Sequence, residues 1–110
     1  MKNNLFAHIP ARMPDELMET LHEAGDVKIE RIVSRGHTTP EGHWYEQSWD
    51  EWVVLLSGSA VLAFDQGRAP VTLQPGDYVL LPAGLRHRVA FTEPDEDSVW
   101  LAVHIDSATR

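Results

Sequence analysis

One acidic residue opens an otherwise apolar segment in the middle of the chain. Glu51 precedes a run of valines and leucines that ends at Gly58. Because side chains alternate along a strand, this pattern places Glu51 on the same face as Val53 and Leu55. A carboxylate on an apolar face is costly to bury alone, so it requires a cation, a hydrogen-bond donor or a raised pKa. Glu51 is therefore a candidate site residue, and a metal ion would meet its need directly.

One histidine follows a tight turn between two apolar segments. His87 comes shortly after Pro82-Ala83-Gly84, and strand alternation predicts that His87, Val89 and Phe91 face the interior together. Apolar neighbours favour the neutral imidazole, which is the form that binds a metal ion. The histidine and the glutamate thus predict one polar site inside an apolar barrel.

The elements that must position these residues are short strands. Strand-like segments cover roughly 27–34, 43–47, 51–57, 59–64, 70–73, 77–81, 86–91 and 98–105, and turn residues separate them. None of the turns is long enough for a crossover helix, so the strands must pair antiparallel. The body of the protein is predicted to be all-β.

A short helix is expected before the first of these strands. Pro14-Asp15-Glu16 suits a helix start, since proline fits the first helical position and acids stabilise the positive end of the helix. Leu17, Met18 and Leu21 would form its buried stripe, and Gly25 would end it as a left-handed cap.

Two spacings in the chain resemble the signature motifs of the cupin superfamily. They are E-x6-G from Glu51 to Gly58 and G-x5-P-x-G-x2-H from Gly76 to His87, and the resemblance covers roughly residues 27–105. It implies an antiparallel cupin or jelly-roll β-barrel over residues 27–110, after an N-terminal extension with the short helix at 1–26. It also implies a metal ion in the barrel.

The chain departs from the family pattern where a His-x-His pair should precede the glutamate. One register puts Tyr45 and Gln47 at the two histidine positions, and the other puts Trp44 and Glu46 there. The first register is more attractive because its residues share strand parity with His43. The candidate metal ligands are listed together: Glu51, His87, Gln47 and His43.

Such a nitrogen and oxygen donor set would suit a divalent first-row ion such as Fe, Mn, Ni or Zn. The competing interpretation is structural. Gln47 and Glu51 would then form hydrogen bonds to nearby groups, and His87 would be a satisfied interior histidine.

The orientation of the last predicted strand is open. Either Val99, Leu101, Val103 and Ile105 face inward, or Trp100, Ala102 and His104 do, and the first set looks more like a core. His104 is therefore only a weaker candidate. Tryptophans at 44, 49 and 52 surround the expected cavity mouth, so Tyr45 and Trp52 are predicted ligand contacts.

An outer sheet face bearing Trp52, Val54 and Leu56 would be too apolar to leave in water, which predicts a homodimer. The net charge of −8 disfavours nucleic acid as a partner. The chain has no cysteine, so thiolate sites and disulfides are excluded, and no apolar stretch approaches membrane-spanning length. We expect a cytoplasmic location.

The sequence therefore predicts a small cupin that binds a divalent metal and a small organic substrate. The resemblance to cupins implies oxygenase or isomerase chemistry for such a site. The alternative is a metal-free cupin that binds a small ligand, for example as a sensor. The resemblance implies a site and not a reaction, so enzymatic activity stays open.

Overall fold

A computed structural model describes residues 1–107 as an all-β protein. Its eight strands are β1 (Leu17–Ala24), β2 (Val27–Ser34), β3 (Asp50–Leu55), β4 (Ala60–Phe64), β5 (Val71–Leu73), β6 (Tyr78–Leu81), β7 (His87–Thr92) and β8 (Ser98–Ile105). Every strand pairing is antiparallel, as predicted. The described residues contain no helix with the length and apolarity needed to cross a membrane.

The strands form two facing sheets. One has five strands in the order β1-β2-β8-β3-β6, and the other has three in the order β5-β4-β7. The inward side chains of both sheets make the apolar core: Val53, Leu55, Ala60, Leu62, Leu73, Leu81, Trp100 and Ala102. Glu51, Val53 and Leu55 are all buried, which confirms the predicted alternation of β3.

The predicted N-terminal helix is wrong, because its residues form β1. Leu17 pairs with Val33 and Ala24 pairs with Val27, so β1 and β2 make a hairpin. Gly25 has a φ of 55°, but it serves this two-residue hairpin turn and does not cap a helix. A lone helix of about three turns is marginal, whereas β1 gains inter-strand hydrogen bonds to β2 as the edge strand of an existing sheet.

The chain before β1 is fastened to β2 and the loop after it. Arg31 donates from Nη1 to the carbonyl oxygens of Leu5 and Ala7, at 3.0 and 2.6 Å. His37 accepts the backbone N–H of Arg35 at Nδ1, so its Nε2 carries the proton that it donates to the Met13 carbonyl at 3.1 Å. The buried guanidinium of Arg31 therefore holds the N-terminal segment against the outer face of the sheet.

Two further differences from the prediction lie near the barrel mouth. Segment 43–47 is not a strand and makes one isolated bridge, between Tyr45 and His87. In β7 the register shifts, because Val61 pairs with Phe91 while Leu62 pairs with Val89. The extra residue, Ala90, is a β-bulge that turns Phe91 outward to 42% exposure, so its predicted inward orientation is wrong.

Candidate ligand-binding site

A cavity opens between the two sheets at the end of the barrel where β3 begins. Its volume is about 570 Å³ including the open mouth. Its apolar wall includes Ile32, Val53, Leu62, Leu81, Val89 and Trp100, and its polar groups are Glu16, Glu30, Tyr45, Gln47, Glu51, His87 and His104. An apolar hollow with a few convergent polar groups is typical of a small-molecule site.

Glu51 lies at the start of β3, opposite Leu81 on one neighbouring strand and His104 on the other. The residue is only 7% exposed. Within residues 1–107 its carboxylate has no hydrogen bond and no salt bridge. Its oxygens are not among the fully buried side-chain atoms that lack a partner, so they face the cavity. The carboxylate is therefore open to a group bound there.

His87 begins β7 on the opposite sheet and is 5% exposed. Its Nδ1 lies 3.1 Å from the carbonyl oxygen of Leu85, which can only accept, so Nδ1 carries the proton. In the neutral ring this leaves Nε2 as a free acceptor, because it has no hydrogen bond within the described chain. This arrangement orients an imidazole for a ligand or a metal ion.

Two backbone contacts fix the irregular segment across the cavity mouth. Tyr45 and His87 exchange both backbone hydrogen bonds, at 2.8 and 3.0 Å, and Gly84 N–H donates to the Gln47 carbonyl at 2.7 Å. The side chains of Tyr45 and Gln47 therefore line the cavity, and the Tyr45 ring lies 5.6 Å from the His87 ring. Burial, followed by the charge of Glu16, raises the pKa of Tyr45 and keeps its phenol neutral.

This geometry decides between the two registers that the sequence left open. Trp44 and Glu46 lie outside the cavity beside Arg86, whose guanidinium is 5.8 Å from the Trp44 ring and 3.7 Å from the Glu46 carboxylate. The register that brings Tyr45 and Gln47 to the cavity is therefore the one that the fold adopts.

A second acid and a second histidine lie at the same cavity, and they are bonded to each other. His104 Nε2 is 3.0 Å from Glu30 Oε1, and the indole N–H of Trp49 donates to His104 Nδ1 at 2.9 Å. Since an indole can only donate, Nδ1 is unprotonated and Nε2 donates to the carboxylate. Lys28 lies 3.7 Å from the other oxygen of Glu30.

This network shifts the pKa of Glu30 and the pKa of His104. The hydrogen bond from His104 lowers the pKa of Glu30, and the hydrogen bond to Glu30 raises the pKa of His104, although burial opposes each shift. The Trp49 N–H also opposes protonation of His104, because it requires a free lone pair on Nδ1. The two ring nitrogens are both occupied by the protein.

The inward orientation of His104 corrects our expectation for β8. Trp100 and Ala102 are 4% and 0% exposed and belong to the core, so the Trp100, Ala102 and His104 face is the inner one. Sequence reasoning also missed Glu16 and Glu30. The alternation of β2 places Glu30 with Ile32 on the cavity face, whereas Arg31 and its aliphatic neighbours lie on the other face.

Two predicted site residues lie away from the cavity. His43 is exposed in the loop before the bridge, and its backbone N–H donates to the Pro40 carbonyl at 3.1 Å. Trp52 points to the outer face of the sheet, because it alternates with Glu51 and Val53, and its ring lies 5.4 Å from that of Tyr78. Neither side chain lines the cavity.

The donor set falls short of a complete metal site. Within the part of the chain that the structure describes, no group of three or more His, Cys, Asp or Glu side chains is placed to hold a metal ion. A divalent ion at Glu51 and His87 would need Gln47 or Tyr45 to complete its coordination. Glutamine and phenol oxygens are weaker ligands than the missing histidines.

Comparison with known proteins identifies the family. The family model for the cupin domain matches residues 31–104, which is most of the chain. The chain belongs to the cupin family. The cupin fold implied by the sequence motifs is thereby confirmed. A search of curated proteins found no match.

Solved structures agree with this cupin assignment. A protein from Ralstonia eutropha JMP134, provisionally described as a mannose-6-phosphate isomerase, is 47% identical, with a TM-score of 0.91 over 97% of this chain and 99% of that one. A cupin superfamily protein from Desulfitobacterium hafniense DCB-2 is 23% identical, with a TM-score of 0.73 over 90% and 84% of the two chains. The polyketide cyclase RemF from Streptomyces resistomycificus is 23% identical, with a TM-score of 0.70 over 86% and 67%. The last two likenesses concern the fold alone.

Proposed function

We propose that this cupin binds a small organic molecule in its barrel cavity, with Glu51 and His87 as the main polar contacts. The observation that supports the proposal is their unused hydrogen-bonding capacity. The Glu51 carboxylate has no partner in residues 1–107, while His87 holds one nitrogen on a carbonyl and leaves the other free. Groups of this kind are costly in a merely structural role, and a bound ligand offsets that cost.

The experiment is a fragment screen on the purified, untagged protein by two-dimensional NMR. We expect small polar fragments to shift the backbone signals around Tyr45, Glu51 and His87. The double variant Glu51→Gln/His87→Phe should lose these shifts and keep its dispersed spectrum. A matched control, Glu96→Gln in the exposed loop before β8, should bind as wild type does. A library that leaves the cavity signals unmoved would contradict the proposal.

The second candidate is a metal-dependent cupin, in which Glu51, His87 and Gln47 hold a divalent ion. It is favoured by the Nδ1 hydrogen bond of His87 to the Leu85 carbonyl, at 3.1 Å, which is how metal-binding histidines are oriented. Such an ion would supply a Lewis acid for oxygenase or isomerase chemistry. The incomplete ligand set ranks this function second.

Elemental mass spectrometry of the untagged protein tests the metal. Near-stoichiometric Fe, Mn, Ni or Zn in wild type, lost in both Glu51→Ala and His87→Ala, would establish the metal-dependent function. Protein that stays free of metal after soaking with each ion, and still binds fragments, would eliminate the metal-dependent function.

We also propose a cytoplasmic location for the protein.

We further propose a homodimer through the outer face of the five-stranded sheet. Tyr78 and Leu80 on its edge strand β6 are 65% and 57% exposed, and Trp52 stacks beside Tyr78. A patch of this kind is unfavourable in water and suits a second copy. Light scattering should report a dimer that Leu80→Lys converts to a monomer, while Phe91→Lys on the other sheet leaves it intact. A wild-type monomer at high concentration would contradict the dimer.

A further inference from the structure

We infer that the ligand of the cavity is a small organic cation, such as a primary ammonium compound, and that Glu51 is its counter-ion. This inference rests on the proposed ligand-binding function and specifies its substrate class.

The cavity wall carries negative formal charge. Glu16, Glu30 and Glu51 all line it, and none of the described residues that line it is a lysine or an arginine. Protonated His104 offsets one of these charges, since the hydrogen bond to Glu30 and then the charge of Glu51 raise its pKa. Lys28 approaches Glu30 to 3.7 Å but belongs to the neighbouring hollow. Charges act over longer range in an apolar cavity than in water, so the wall attracts cations and repels anions.

The three carboxylates differ in what the protein provides for them. Glu16 accepts a hydrogen bond from the Ser34 hydroxyl at 2.6 Å, and Glu30 accepts one from His104 at 3.0 Å. Glu51 is the one of the three without a hydrogen-bond or salt-bridge partner in residues 1–107, and the residue is only 7% exposed. The missing partner of a buried carboxylate is a positively charged donor, and an ammonium group supplies three N–H donors.

The rest of the wall fits the same ligand. Tyr45 and Trp100 both line the cavity, and aromatic rings attract a desolvated cation through their negative faces. The neutral phenol of Tyr45 and the free Nε2 of His87 can hydrogen-bond its N–H groups. The cavity, at about 570 Å³ including its open mouth, accommodates a small organic cation.

A phosphorylated sugar fits this wall poorly. Its phosphate would carry about two negative charges into a cavity whose described lining offers three carboxylates and no guanidinium or ammonium group. The charge of the ligand is the property that an experiment must isolate.

Three probes of similar size and different charge test the inference: butylammonium chloride, 1-butanol and sodium butyrate at matched ionic strength. NMR titration of the metal-stripped full chain should show butylammonium binding at the cavity roughly tenfold or more tighter than 1-butanol, and butyrate weakest. Glu51→Gln keeps the shape and removes the charge, so it should lose the preference for butylammonium. Glu96→Gln, with the same change of net charge at an exposed position, should retain it.

The outcomes separate this inference from the function on which it rests. Butanol or butyrate binding as tightly as butylammonium, or an unchanged preference in Glu51→Gln, would overturn the organic cation while leaving a ligand-binding cavity. If none of the three probes shifts the NMR signals of the cavity residues, the inference is also overturned. The wider fragment screen then tests the proposed function separately.

A parallel Zn²⁺ titration tests whether the positive charge comes from a metal ion. Saturation by stoichiometric Zn²⁺ with no response to butylammonium would overturn the inference in favour of a metal.

Discussion

Two of the three glutamates that line the cavity are each near one of its two histidines, yet the two pairs differ in their hydrogen bonds. On the β2 and β8 side, Glu30 and His104 bond to each other, and Trp49 occupies the remaining ring nitrogen. On the β3 and β7 side, Glu51 has no partner in residues 1–107 and His87 keeps one nitrogen free. Residue types alone do not distinguish the two sets. Satisfied hydrogen-bonding capacity marks the first as structural, and unsatisfied capacity marks the second as the ligand site.

The largest effect on stability is expected from breaking the satisfied set. Glu30→Gln removes the charge from the bond to His104 and the attraction of Lys28, so the free energy of unfolding should fall by about 1–2 kcal/mol. Urea denaturation measures this change, with Glu96→Gln as the exposed control near zero. A Glu30→Gln protein as stable as wild type would mean that the network contributes nothing to the fold.

The same chemical change at the unsatisfied acid should act in the opposite direction. Glu51→Gln replaces a buried, unpartnered carboxylate by a neutral amide of the same shape. We expect the free energy of unfolding of the ligand-free protein to rise by about 1 kcal/mol in the same urea assay. A decrease would show that Glu51 is stabilised by contacts within the fold, and the distinction between the two sets would disappear.

The dependence of stability on pH sharpens the comparison further. The lowered pKa of Glu30 adds stability above its ordinary value of 4.5, which is lost as the pH falls through the lowered value. The raised pKa of His104 adds stability that is complete below its ordinary value of 6.5 and is lost as the pH rises through the raised one. The pair should therefore stabilise the fold most between about 4.5 and 6.5.

The measurement is urea unfolding of wild type and His104→Phe across pH 4 to 9. The difference between the two free energies should be greatest in that window and should shrink on either side. A difference that grows toward alkaline pH would contradict the assigned direction of the His104 shift.

The smallest effect concerns Trp49. Trp49→Phe removes the N–H donor from His104 Nδ1, so protonation no longer has to displace a hydrogen bond. We expect the pKa of His104 to rise further and the free energy of unfolding to fall by about 0.5–1 kcal/mol. NMR titration of the histidine ring signals checks the first part. An unchanged or lower pKa would show that the indole does not hold the neutral ring.

The sequence predicted the body of the fold because its signals are local. Turn residues and strict alternation define most strands, and the burial of Glu51, Val53 and Leu55 follows from alternation alone. The prediction of a helix where β1 lies was wrong because Pro14, Leu17 and Leu21 are compatible with either a helix or a strand. Pairing with β2 decides between the two. The local propensity of a segment carries no information about the strand with which it will pair.

The site was predictable only in part for a similar reason. His104 looked outward because both faces of β8 are largely apolar, and only the packing of the two sheets selects the inner one. Phe91 was misplaced by a single extra residue, Ala90, whose bulge reverses the faces of the strand after it. Tyr45 and Gln47 reach the cavity through one bridge and one carbonyl contact, which no strand pattern encodes.

The position of β8 determines the order in which this barrel can be completed. Its residues pair with β2 on one side and with β3 on the other, and His104 lies opposite both Lys28 and Glu51. During synthesis, β2 and β3 therefore each have one edge with unpaired backbone hydrogen-bonding groups until β8 has left the ribosome. Such long-range pairing makes folding slow and leaves aggregation-prone intermediates. Chaperone dependence and yield should consequently respond to changes in β8 more strongly than to equally buried changes in the β1–β2 hairpin.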